Sequence, residues 1–125
     1  PRDCLVDWKL GDILMRKSVQ SEKALNLENK ALSACPHLYE AHADHARLLL
    51  RLHQDQKAIP ELKMLEKHDP SKPRTHFLLS KAYRAAGNAE QAMRELKTFS
   101  QLETKAREGT AKNAQQIIEQ SQSNH

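Results

Sequence analysis

Four residues able to bind a metal or attack a substrate crowd one short stretch: Cys35, His37, His42 and His45. His42 and His45 are three apart, a spacing that turns two imidazoles to one face of a helix, as a zinc site requires. Cys35 and His37 stand across a helix break at Pro36, and no carboxylate is clearly placed in the sequence to orient either ring. The histidines are therefore read as partly exposed interhelical residues, and no metal is expected. Nothing local depresses the thiol pKa of Cys4 or Cys35, so neither is read as a nucleophile. The two cysteines allow one disulfide: a hairpin over residues 5–34 would bring its ends together and pair them, whereas otherwise both are small buried or edge residues. There is no Gly-rich phosphate loop, no HExxH and no G-x-S-x-G. The chain reads as a non-enzyme with no cofactor.

Charge points to partners rather than to chemistry. Twenty Lys and Arg stand against sixteen Asp and Glu, a net +4, but the signs are mixed along the chain, and a nucleic-acid partner is not expected. No apolar run reaches a membrane span, so membrane insertion is not expected, and PRDCLVDWK lacks a signal-peptide pattern. The chain begins at Pro1 rather than Met, which suggests a piece of a longer protein. The compartment stays open.

The elements that carry these residues are helices. Apolar residues make up 38% and aromatic ones 4%, so the core must rest on Leu and Ala, and the fold is expected to be all-α. Residues 73–106 hold the clearest pair. Leu79, Ala82, Tyr83 and Ala86 recur at helical spacing, as do Ala89, Ala92, Met93, Leu96, Phe99 and Leu102 after the turn Ala86-Gly87-Asn88. Gly87 can take the left-handed conformation that ends one helix, and Asn88 can cap the next. The hairpin repeats at a period of 34: Ala92, Ala58 and Ala24 form one column, and Phe99, Leu65 and Ala31 another. Leu96 and Leu62 meet Glu28 in the first unit, where neighbouring Leu27 could turn inward instead. Pro70 and Pro36 share a column with Thr104.

This period, with Leu79-Ser80-Lys81-Ala82-Tyr83, Gly87 and the second-helix residues, resembles the tetratricopeptide repeat. The resemblance implies an α-α superhelix of three antiparallel hairpins, at residues 5–38, 39–72 and 73–106. A C-terminal capping helix and frayed tail is expected at 107–125, with Gly109 interrupting the helix and fraying from about Gln120. In unit two, His53 takes the place of the turn glycine. In unit one, Leu10, Gly11 and Leu14 fit only with a shift of one residue, which keeps Gly11 and Asp12 out of the packing seam. Pro60 should distort the second helix of unit two.

Tetratricopeptide arrays bind partner segments in a concave groove lined by their first helices. Transferred residue by residue, that groove comprises Trp8, Asp12, Met15 and Arg16, then Glu40, Ala43, Arg47, Leu50 and Arg51, then Arg74, Phe77, Lys81 and Arg84. The resemblance thus implies a protein-protein interaction scaffold for a peptide or partner domain. The excess of cations around Trp8, Leu50 and Phe77 suits an acidic peptide. Of the positions that grip a terminal carboxylate in some co-chaperones, held here by Trp8, Asp12, Asp44, Arg74 and Leu78, only Arg74 is compatible, so that clamp is not expected. The alternative is a structural piece with an idle groove that forms a homo-oligomer through residues 103–122.

Overall fold

The computed structural model describes residues 4–16 and 21–123, and these form six helices without a strand. They are α1 (Cys4–Arg16), α2 (Ser21–Ala34), α3 (Tyr39–Arg51), α4 (Asp55–His68), α5 (Pro73–Ala85) and α6 (Ala89–Ser123). Consecutive helices pair as α1 with α2, α3 with α4 and α5 with α6, and the first helices α1, α3 and α5 also touch in a row.

The turns are chemically explicit. Gly87 has φ 85°, and it is followed by an Asn88 amide that donates back to the Tyr83 carbonyl at 2.8 Å. The Asn88 Oδ1 in turn accepts from the Gln91 amide at 3.3 Å, capping α6. Unit two builds the same turn without a glycine. His53 takes φ 61°, and the Gln54 amide reaches the Leu49 carbonyl at 2.8 Å. A histidine tolerates this region better than a β-branched residue, at some cost in strain.

The largest core cluster joins units two and three through Leu49, Leu62, Leu65, Leu78, Leu79 and Tyr83, with the column alanines Ala58 and Ala92 at the close approaches. Smaller clusters join unit one to unit two. Trp8 packs with Ala31 and Ala41, and Met15 with Ala24 and Leu48. A disulfide links Cys4 to Cys35, with Cα atoms 6.1 Å apart. It closes the ends of the α1–α2 hairpin across a separation of 31 residues, a constraint worth about 4 kcal/mol in the loop-entropy account.

Four expectations need correction. The helix around Pro60 is not broken, because α4 runs from Asp55 to His68. Proline removes a bond to the carbonyl of Gln56, and both residues lie on the exposed face, where water can replace it. Leu27 does not replace Glu28; the glutamate itself is buried in the column at 0% exposure. The unit-one shift also fails. Gly11 is buried, and a Cβ there would stand 3.0 Å from Glu28 Cγ, so Gly11 lies in the α1–α2 seam. Finally, the segment after 106 does not fold back as a cap. It prolongs α6 through Gly109 and past Gln120 to Ser123, with every residue from Thr104 to Ser123 exposed. The run is rich in Ala, Lys, Glu and Gln, which favour helix without tertiary support. Phe99 meets Phe77 edge-to-face within its own hairpin, ring centroids 5.3 Å apart.

Candidate functional site

Two cavities lie along the row of first helices, and the polarity changes from one to the other. Between α3 and α5 lies a cavity of about 570 Å³ lined by Arg47, Leu50, Arg51, Lys81 and Arg84, with Leu78 and Ala85 in its wall. His53 and Asp55 complete its rim. Four cations around an apolar base face one carboxylate there. Nearer α1, a second cavity of about 250 Å³ carries both signs: Lys9, Lys72 and Arg74 beside Asp12, Glu40 and Asp44, around Trp8.

The expected groove residues fall into different roles. Lys81 and Arg84 are exposed in the basic cavity, and Leu50 is half-buried beside them. Arg51 also lines it while donating to the Met15 carbonyl at 2.6 Å. There its positive charge sits at the C-terminal end of α1, where the helix dipole favours a cation. Arg47 and Arg74 reach one oxygen of Asp44 at 3.4 and 3.5 Å. The other Asp44 oxygen accepts from the Trp8 indole at 2.8 Å. Trp8 is only 7% exposed, so its ring belongs mainly to the seam between units one and two. Phe77 faces Phe99 and carries the Lys81 ammonium 5.0 Å from its ring centroid. Arg16 ends α1, and its side chain lies outside the described residues. Met15 is fully buried.

On the unshifted 34-residue period, Val6, Lys9 and Ile13 stand where Glu40, Ala43 and Arg47 stand in unit two. Val6 and Ile13 are 60% and 50% exposed. The α1 end of the array therefore presents aliphatic side chains where unit two presents charge.

No family model and no curated protein matches the chain. Solved structures do. Residues 41 to the end of MamA from Desulfovibrio magneticus RS-1 superpose with a TM-score of 0.76 at 22% identity, over 80% of this chain and 56% of that one. A thermophilic TPR protein of Thermus thermophilus, TTC0263, superposes with a TM-score of 0.70 at 27% identity, over 79% of this chain and 56% of that one. The fold is a tetratricopeptide-like helical repeat. The chain spans little more than half the length of either structure, 56% in both cases.

Within this tetratricopeptide-like frame, three carboxylates organise the polar interior. Asp44 is the first. Burial raises its pKa, while the Trp8 hydrogen bond and the nearby Arg47 and Arg74 oppose the rise. Glu61 is the second, and it answers the question of what orients the histidine pair. His42 Nδ1 and His45 Nδ1 each meet one of its oxygens at 2.7 Å. Cys35, held in the disulfide, takes no part. Glu28 is the third. Neither oxygen has a hydrogen-bond partner among the described residues, and its pKa rises to about 8, chiefly through burial and then through Asp44, Asp12 and Glu61. The period singles out Glu28 as a carboxyl in a column otherwise held by Leu62 and Leu96, but not its burial there. Nothing local could have flagged Glu61, which stands 16 residues from His45. No helix among the described residues is long and apolar enough to cross a membrane.

Proposed function

We propose that the chain is a non-catalytic protein-interaction scaffold that holds an acidic peptide segment with an apolar anchor in the basic cavity between α3 and α5. The observation that supports this is the grouping of Arg47, Arg51, Lys81 and Arg84 around Leu50, Leu78 and Ala85. Guanidinium groups can take carboxylates bidentately, and the aliphatic wall supplies burial that a solvated charged face lacks. The aliphatic positions Val6 and Ile13 extend the same face toward α1, giving a longer segment a second place to anchor. Lys81 and Arg84 are the residues to test, since both are exposed and line the basic cavity. In a fluorescence titration with a capped peptide alternating Glu and Leu, Lys81→Glu with Arg84→Glu weakens binding by more than about 10-fold and leaves the helical spectrum unchanged. Equal affinity in both proteins, or no binding by the wild type, would overturn the groove reading.

A second reading is favoured by one observation: α6 continues well beyond the array to Ser123, exposing Ile117 and Ile118 at 66% and 49%. In this reading the extension pairs with a second copy of the chain. Light scattering over a dilution series then finds a dimer that disappears on truncation after Glu103; a monomer at every concentration rules it out.

A further inference from the structure

Outside the groove, the 34-residue period produces one polar arrangement twice. His42 Nε2 lies 2.7 Å from the Pro36 carbonyl and its Nδ1 2.7 Å from Glu61. His76 Nε2 lies 2.7 Å from the Pro70 carbonyl and its Nδ1 2.7 Å from Glu95. Pro36 and Pro70, His42 and His76, and Glu61 and Glu95 are each 34 apart. A backbone carbonyl can only accept, so in both units Nε2 must carry a proton and the functional question passes to Nδ1.

The two copies differ in what faces Nδ1. In unit two, one carboxylate serves two rings, because Glu61 gives its second oxygen to His45. Donors there outnumber acceptor groups. In unit three the position of His45 is held by Leu79, and a second carboxylate arrives from the preceding hairpin: Glu66 Oε2 stands 3.3 Å from the same Nδ1. One ring nitrogen thus faces two carboxylates, and ligand atoms of Glu66, His76 and Glu95 all lie within 4.8 Å of one another. His76 is 5% exposed, while the Glu66 and Glu95 side chains keep 32% and 17% exposure and so leave the cluster reachable from solvent.

We propose that Glu66, His76 and Glu95 bind a divalent transition-metal ion of the zinc class, through His76 Nδ1 and one oxygen of each carboxylate. The donor chemistry suits it. Imidazole with carboxylates takes zinc or cobalt in preference to magnesium or calcium, and the ring N–H donating to the Pro70 carbonyl is the outer contact that orients a metal-bound histidine. Charge suits it as well. A dication with two carboxylates and a neutral imidazole makes a neutral cluster, whereas a proton on Nδ1 leaves one negative charge in excess. The three ligands come from α4, α5 and α6, so the ion ties the second hairpin to the third.

The test uses the full chain at pH 7.5 with zinc alone, and separately cobalt alone, followed by calorimetry and visible absorption. One equivalent binds to the wild type, with cobalt bands of a nitrogen and oxygen site. Glu66→Gln weakens binding by at least about 10-fold while leaving the His76–Glu95 contact in place. His42→Gln, in the twin arrangement, leaves binding unchanged. On zinc addition the 15N resonance of His76 Nδ1 moves and that of Nε2 keeps its protonated position. His76→Gln abolishes binding if that buried variant folds, and Glu66→Gln carries the test if it does not. Absence of binding, equal binding by wild type and Glu66→Gln, or loss of binding in His42→Gln each overturns the site.

Discussion

Replacing Glu28 by Met stabilises the chain by about 3–5 kcal/mol at pH 8 and by far less at pH 5. Glu28 is fully buried at the α1–α2 seam, and its pKa rises from 4.5 to about 8. Between those values the folded chain holds a proton that the unfolded chain has released. The stability tied to this carboxyl is therefore complete below about 4.5, falls as pH rises, and is lost once pH passes about 8. The groups that set the shift come from every helix around it: Asp12 from α1, Asp44 and Arg47 from α3, and Glu61 from α4. Met matches Glu in length, keeps the contact opposite Gly11, and brings no charge to bury. Denaturant midpoints of both proteins at pH 5, 6.5 and 8 check the effect. Parallel pH profiles would show that Glu28 reaches solvent as an ion.

The same residue marks where sequence reasoning stops short. Period and column identity make the fold legible: Ala24, Ala58 and Ala92 are buried at the close approaches, and the Gly87 turn and Asn88 cap form from the bonds their side chains and backbones allow. A shift in unit one would avoid burying polar groups beside Gly11. The molecule instead buries a carboxyl there and keeps it protonated, a solution that no single-residue preference encodes. The groove is legible in composition and only partly in geometry. Lys81 and Arg84 line the basic cavity, whereas Trp8, Arg47 and Arg74 converge on Asp44, a contact spanning 36 residues from the indole. Such pairings are set by how helices cross, and helical spacing describes only one helix at a time. The continuation of α6 past Gly109 has the opposite origin. Local propensity alone carries it, and no packing signal marks it.

Stability and peptide affinity move in opposite directions when Asp44 is changed. Its carboxylate joins three first helices, accepting from Trp8 of α1 and contacting Arg47 of α3 and Arg74 of α5. The Asp44 side chain is 8% exposed, so removing it leaves a buried indole donor and two guanidinium groups without their shared partner. Asp44→Ala then costs about 1–3 kcal/mol, chiefly through the buried indole donor left unsatisfied, and Asp44→Asn, which keeps one acceptor oxygen for Trp8, costs less. A double-mutant cycle with Trp8→Phe isolates the indole bond and gives a coupling of about 1–2 kcal/mol in denaturant unfolding. The groove responds in the other sense. Asp44 neutralises Arg47, which lines the basic cavity, and Arg74, which lines its neighbour. Asp44→Asn releases both, so affinity for the capped Glu-Leu peptide rises by roughly 3- to 10-fold at low salt, and the gain shrinks as salt is added. A destabilised Asp44→Asn protein that binds the peptide no better would mean that Arg47 and Arg74 serve only to hold the three hairpins together, leaving Arg51, Lys81 and Arg84 as the cations that meet the ligand.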